Sequence, residues 1–122
     1  MTLTAAVLSA IGGGAGASVR AYVLAEAELA GVQRLDRAIA AVNVIGSTLA
    51  GMLLAAGLSP ALLALLLTGV LGGFTTLSSW ISALTTQRPP EERTRALLWA
   101  ASDLLAGLAG AAAGYWVVSA LG

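Results

Sequence analysis

The chain has 122 residues, of which 58% are hydrophobic and only 10% are charged, whereas roughly 25% of residues are charged in a soluble domain. It contains no Cys and no His, which excludes disulfides, thiol chemistry and His-ligated metals and argues against an enzyme. The formal net charge is zero and no basic cluster is present, so nucleic-acid binding is not expected.

Four apolar segments predict an all-α integral membrane protein with four transmembrane helices in one domain, residues 1–122. The first segment has no basic residue before it and is longer than the apolar part of a signal peptide, so we expect a retained helix. Asp36 is a candidate N-cap of the second helix, and Ser59 followed by Pro60 is a candidate start of the third. The expected helices cover residues 3–24, 38–58, 60–85 and 94–121.

The third apolar segment differs from the others because small and hydroxyl-bearing residues occupy its middle. Paired glycines at membrane depth favour a break in the helix. Such a break is tolerated only where protein or a polar cavity supplies the missing hydrogen bonds. The sequence therefore predicts a third helix that is broken near its middle, within Gly69, Gly72, Gly73, Thr75, Thr76, Ser78 and Ser79.

The basic residues lie on one side of the predicted membrane topology. All are arginines, and they fall on or near the two loops at 25–37 and 86–95. Loops rich in basic residues stay in the cytoplasm, so we expect both loops to be cytoplasmic and both termini to be external. The arginines concerned are Arg20, Arg34, Arg37, Arg88, Arg93 and Arg95.

Three stretches on the first three segments together carry a family resemblance. They are GGGAGASVR at 12–20, VNVIGS at 42–47 and GVLGGFTTLSSW at 69–80. In this order and spacing, the chain resembles the Fluc-type (CrcB) fluoride channel family, and the resemblance is weakest in the fourth segment. It implies passive export of fluoride through the inner (plasma) membrane, which lowers fluoride toxicity.

The resemblance also implies an assembly and an ion site. Members form dimers of two antiparallel subunits, with a fluoride path on each side of the interface. By position, the backbone carbonyls of Gly72 and Thr75 would hold a structural Na⁺ at the dimer centre. Oxygen ligands freed by a helix break suit a hard cation. The alternative is a glycine kink that holds no ion.

Fluoride is strongly hydrated, so its path must offer hydrogen-bond donors in place of water. Asn43 and Ser47, one turn apart on the second helix, supply an amide and a hydroxyl and match the fluoride path of the family. Thr76 and Ser79 are further candidate donors. The alternatives are an interhelical hydrogen bond for Asn43 and bonds to their own helix for the hydroxyls. Arg20 is either a cation that attracts anions or an anchor reaching the headgroups.

Three residues depart from the family pattern. Leu77 and Trp80 stand where two phenylalanines usually follow the break, and only Trp80 retains a ring edge that can face an anion. Asp103 aligns with a family Ser on the fourth helix, although Ser102 is the alternative counterpart. An ionised carboxylate there is costly and would repel fluoride. We expect Asp103 to be paired with a cation such as Arg20, protonated, or turned away from the path.

These departures leave several assemblies open. One hypothesis is an antiparallel heterodimer, in which a different partner subunit supplies the missing aromatic residues. The other hypothesis is a homodimer with an identical second subunit. A non-conducting structural subunit is a further alternative. A small multidrug-resistance-type proton-coupled transporter is less favoured because its first helix needs a membrane-embedded acid, and none precedes Glu26 here.

Overall fold

The computed structural model describes residues 2–85 and 89–122. Arg88, one of the arginines used to predict orientation, lies outside these residues. Four stretches are long and apolar enough to cross a membrane, at Leu3–Leu29, Val32–Ala55, Pro60–Leu84 and Pro90–Leu121. The predicted all-α architecture with four membrane-capable helices is thereby confirmed. We refer to these stretches as the first to fourth spans.

The first two spans are single helices, α1 (Leu3–Leu29) and α2 (Val32–Ala55). Gly31, with a φ of 111°, forms the turn between them and is the N-cap of α2. Asp36 therefore lies inside the helix, where it is buried, and its predicted role as an N-cap is wrong. The start at 38 was expected from the apolar run alone, whereas the helix itself begins at Val32 and includes more polar residues.

The third span consists of several short elements. Ser59 accepts the N–H of Leu62 at 3.3 Å and Pro60 follows it, so the predicted cap is confirmed. The elements are α3 (Pro60–Leu63), a π-helical segment (Ala64–Leu71), α4 (Gly72–Phe74) and α5 (Ser78–Thr85). The backbone of Thr75 is extended, with φ −76° and ψ 157°. We call residues 75–77, which belong to none of these helices, the interruption.

The fourth span opens with a short 3₁₀ turn (Pro90–Glu92) and continues as α6 (Arg93–Leu121). The main packing contacts join α2 to α6 and α1 to the π-helical segment and α4. Gly16 lies so close to the third span that a Cβ there would stand 2.9 Å from the backbone N of Phe74. Small residues permit such close approach between helices in lipid.

Most large apolar side chains of the single chain face outward. On α6, for example, Leu97, Leu98, Leu105 and Trp116 are all exposed. Such an exterior is ordinary for helices whose surroundings are apolar, because lipid chains solvate these side chains as well as a protein interior does. Two polar residues of the described chain are buried, Asp36 and Thr76, and Thr76 belongs to the interruption, where the candidate site lies.

A polar groove at the interruption of the third span

Asn43 of α2 bridges the interruption with both ends of its side-chain amide. Its Nδ2 donates to the Thr76 carbonyl at 2.9 Å, and its Oδ1 accepts the Thr76 N–H at 2.8 Å. In a continuous α-helix that N–H would donate to the carbonyl of Gly72. The amide of Asn43 therefore replaces hydrogen bonds that the third helix loses, and the Gly72 carbonyl is left without its usual donor.

Two threonine hydroxyls stabilise the ends of the neighbouring helices. Thr75 Oγ1 donates to the Leu71 carbonyl at 3.0 Å, while Thr76 Oγ1 accepts the N–H of Ser79 at 3.1 Å and so caps α5. Local bonding of Thr76 was the alternative to its role in a fluoride path. A hydroxyl that accepts one hydrogen bond still has a proton to donate, so the cap does not exhaust Thr76.

Arg20 of α1 reaches across to the same interruption. Its Nη1 donates to the Thr75 carbonyl at 3.0 Å. In a continuous helix the N–H of Ser79 would serve this carbonyl, but it is used by the cap on Thr76. The sequence predicted that Arg20 attracts anions or reaches the lipid headgroups, and neither role includes this contact. The two residues lie far apart in the chain, and only the register of α1 against the third span brings them together.

A groove of about 240 Å³ opens beside the interruption. It is lined by side chains of α2 and α6 together with residues at and just after the interruption. Four residues of the predicted fluoride path meet there, and Asp103 joins them; Ser79 is not in its lining. The lining residues are Asn43, Ser47, Thr76, Leu77, Trp80, Asp103, Leu104, Gly107, Leu108 and Ala111.

Asp103 is held in this groove by Trp80, whose indole N–H donates to the carboxylate. The other carboxylate oxygen, Oδ2, is buried and has no hydrogen-bond partner among the described residues. Among the described residues, the buried acid Asp36 of α2 acts electrostatically on Asp103. Sequence reasoning singled out Trp80 and Asp103 separately. It did not join them, because their distance depends on how α5 packs against α6.

Gly72 and Thr75 line a second groove, also of about 240 Å³, together with Gly46 and Ser47 of α2. The described residues contain no cluster of His, Cys, Asp and Glu that could hold a metal. Any cation in this groove would therefore depend on uncharged oxygens, namely hydroxyls such as that of Ser47 and backbone carbonyls. The Gly72 carbonyl lacks the N–H donor that it would have in a continuous helix. The Thr75 carbonyl accepts a hydrogen bond from Arg20 and keeps a second lone pair that could bind a cation. This donor set suits a hard cation such as Na⁺.

A comparison with known protein families identifies the family of the chain. The model of the family described as "CrcB-like protein, Camphor Resistance (CrcB)" matches residues 7–115, a range that includes all three motif stretches and the whole groove. No curated protein matches the chain. Since the match covers most of the sequence, the chain belongs to the CrcB-like family, which is the family of the Fluc fluoride channels.

Proposed function

We propose that the chain is a subunit of a fluoride-specific channel through which fluoride leaves the cytoplasm passively. The observation that carries this proposal is the meeting of Asn43, Ser47, Thr76 and Trp80 in one groove at the interruption. The Asn43 amide has a second N–H beyond the one given to Thr76, and both hydroxyls have a proton to donate. These donors can replace part of the water that fluoride loses on entering the membrane.

The functional assembly in this proposal is an antiparallel dimer in the inner (plasma) membrane, with both termini external. A structural Na⁺ between the subunits would be held by the carbonyls of Gly72 and Thr75. A bound cation adds positive charge that attracts an anion. The interruption makes these carbonyls accessible to a cation. The Thr76 N–H is bonded to Asn43 and the Ser79 N–H to the Thr76 hydroxyl, so neither N–H donates to the Gly72 or Thr75 carbonyl.

A second candidate is that this chain is one half of an unlike pair, either conducting along one path or serving as a non-conducting structural partner. Three groove residues favour it. Leu77 has no ring, the indole N–H of Trp80 is committed to Asp103, and the carboxylate of Asp103 repels anions when ionised. The one-sided arginines favour a single orientation, whereas a homodimer of opposed subunits needs a chain that inserts both ways.

Fluoride efflux from liposomes tests these proposals. This chain is reconstituted into vesicles loaded with potassium fluoride, either alone or together with a paralogous partner. Valinomycin starts the efflux because it carries potassium out and balances the charge of the fluoride that leaves. We expect release of fluoride and none of chloride. Robust release by this chain alone contradicts an obligate partner. Equal release of chloride, or no release of fluoride from either preparation of folded protein, contradicts the channel assignment.

A further inference from the structure

We propose that Asp103 is a proton-binding site inside the fluoride groove, and that fluoride passes this groove only when the Asp103 carboxyl is protonated. The inference rests on the proposed channel function and adds a regulation that the function does not require. In this proposal, Asp103 of α6 and Trp80 of α5 together form a gate that opens when the Asp103 carboxyl binds a proton.

The position of Asp103 carries the first step. Its side chain lines the same groove as Asn43, Ser47 and Thr76, so an anion bound to those donors faces the carboxyl. The buried Oδ2 has no hydrogen-bond partner in the described part of the chain, and a protonated oxygen there has a proton to offer. An ionised carboxylate at the same place offers an anion only repulsion.

The surroundings of Asp103 carry the second step. From α2 the group that acts on it is the acid Asp36, and from α5 it is the uncharged indole of Trp80. The guanidinium of Arg20, on α1, is bonded to the Thr75 carbonyl. The neighbours of Asp103 one turn away on α6 are uncharged, namely Trp99, Ala100, Ala106 and Gly107. Binding a proton removes the charge repulsion between Asp103 and this second acid.

Protonation changes two hydrogen bonds at once. The ionised carboxylate holds the Trp80 N–H, so neither group serves fluoride. A neutral carboxyl accepts a hydrogen bond more weakly than a carboxylate does. Its own O–H becomes a donor, and the indole N–H is released to face the anion. Binding of one proton therefore removes the repulsion of fluoride and adds two hydrogen-bond donors to the groove. Because fewer Asp103 carboxyls are protonated at higher pH, fluoride flux falls as the pH rises.

The test measures fluoride efflux over a series of pH values, equal on both sides, in the assembly that conducts. Only the valinomycin-dependent flux is counted, because neutral HF crosses lipid without the ionophore. Once the carboxyl is mostly ionised, we expect wild-type flux to fall by up to about tenfold per pH unit, in step with the protonated fraction. Asp103→Asn, which keeps a permanent donor, should conduct at every pH without this decline.

Two further variants make the test specific. Glu91→Gln removes one exposed carboxylate at the start of the fourth span and should keep the wild-type pH dependence. Trp80→Phe removes the donor that favours the ionised carboxylate, so its flux should decline at a higher pH than in the wild type. This variant replaces Asp103→Asn as the decisive one if the latter does not fold.

The outcomes separate the gate from the channel. Fluoride flux that does not change with pH, or that declines equally in the wild type and Asp103→Asn, overturns the gate and leaves the channel assignment standing. Absence of fluoride flux at every pH in folded wild type, Asp103→Asn and Trp80→Phe overturns the channel assignment, and the gate falls with it.

Discussion

Asn43 stabilises the interruption of the third span through a single side chain. One end of its amide accepts from the Thr76 N–H and the other donates to the Thr76 carbonyl, so both backbone groups of a buried residue are satisfied. Because the amide nitrogen has two protons, this structural role is compatible with the proposed donation to fluoride.

Replacement of Asn43 tests this role directly. Asn43→Ala leaves two buried backbone groups of Thr76 without partners, at a cost of about 1–3 kcal/mol for each group. We expect a clearly lower thermal unfolding midpoint in detergent, together with loss of fluoride flux. Ser47→Ala is the matched control in the same groove, and it should reduce flux with little change in the midpoint. An Asn43→Ala protein as stable as the wild type would contradict this account.

The sequence placed the residues of the site more reliably than their contacts. Asn43, Thr76 and Trp80 were identified from their types at membrane depth and from the family resemblance. The bond from Arg20 to the Thr75 carbonyl and the pairing of Trp80 with Asp103 were not predicted. Both depend on the register between helices, and the residue pattern along one helix does not contain that register.

Close approach of backbones defines how the helices pack. Gly16 of α1 lies against the third span just before the interruption, where a Cβ would stand 2.9 Å from the backbone N of Phe74. On the other side, Gly51 of α2 faces the backbone of α6 at Ala111. These contacts set the positions of α1 and α6 relative to the groove, so packing and site geometry are coupled.

Alanine substitution at two glycines of α1 tests the close approach. Gly16→Ala forces α1 away from the third span, and overpacking of this kind typically costs about 1–3 kcal/mol. Gly14 has open space around it, so Gly14→Ala should be neutral or stabilising by up to about 1 kcal/mol, since Ala favours helix. Thermal unfolding in detergent compares the two. Equal effects of both substitutions would show that the close approach of Gly16 to the third span does not matter.

Helix positions were predictable in outline because apolar length signals a membrane crossing. The start of the third span was predictable in detail, since Ser59 and Pro60 are specific signals for a helix N-terminus. The start of α2 was not, because the signal there is the turn at Gly31 and the intervening polar residues hide it. Asp36 is therefore a buried helical residue near the site and not a cap.

On the scale of the whole molecule, the four spans and their apolar exterior follow from composition, and the family match extends over most of the chain. The predicted orientation and the proposed antiparallel dimer do not follow from the fold of one chain. The distribution of arginines is the main sequence signal for orientation, and it predicts external termini.

Fusions at the C-terminus test this orientation. A reporter that is active only outside the cytoplasm should give signal, and a reporter that is active only in the cytoplasm should give none. In the matched control, Arg34 and Arg37 are replaced by Ala. This weakens the one-sided distribution of basic residues and should produce some molecules of the opposite orientation. Equal signal from both reporters in the wild type would instead favour identical subunits inserted in opposite directions.

The central claim is that the groove at the interruption conducts fluoride passively, as an ion. Current recorded across a planar bilayer, with a fluoride gradient opposed to a chloride gradient, tests it most directly. The account predicts a current that reverses at the equilibrium potential of fluoride and vanishes in Asn43→Ala. A current that follows the chloride gradient, or fluoride movement that carries no current and is driven by a proton gradient, would contradict it.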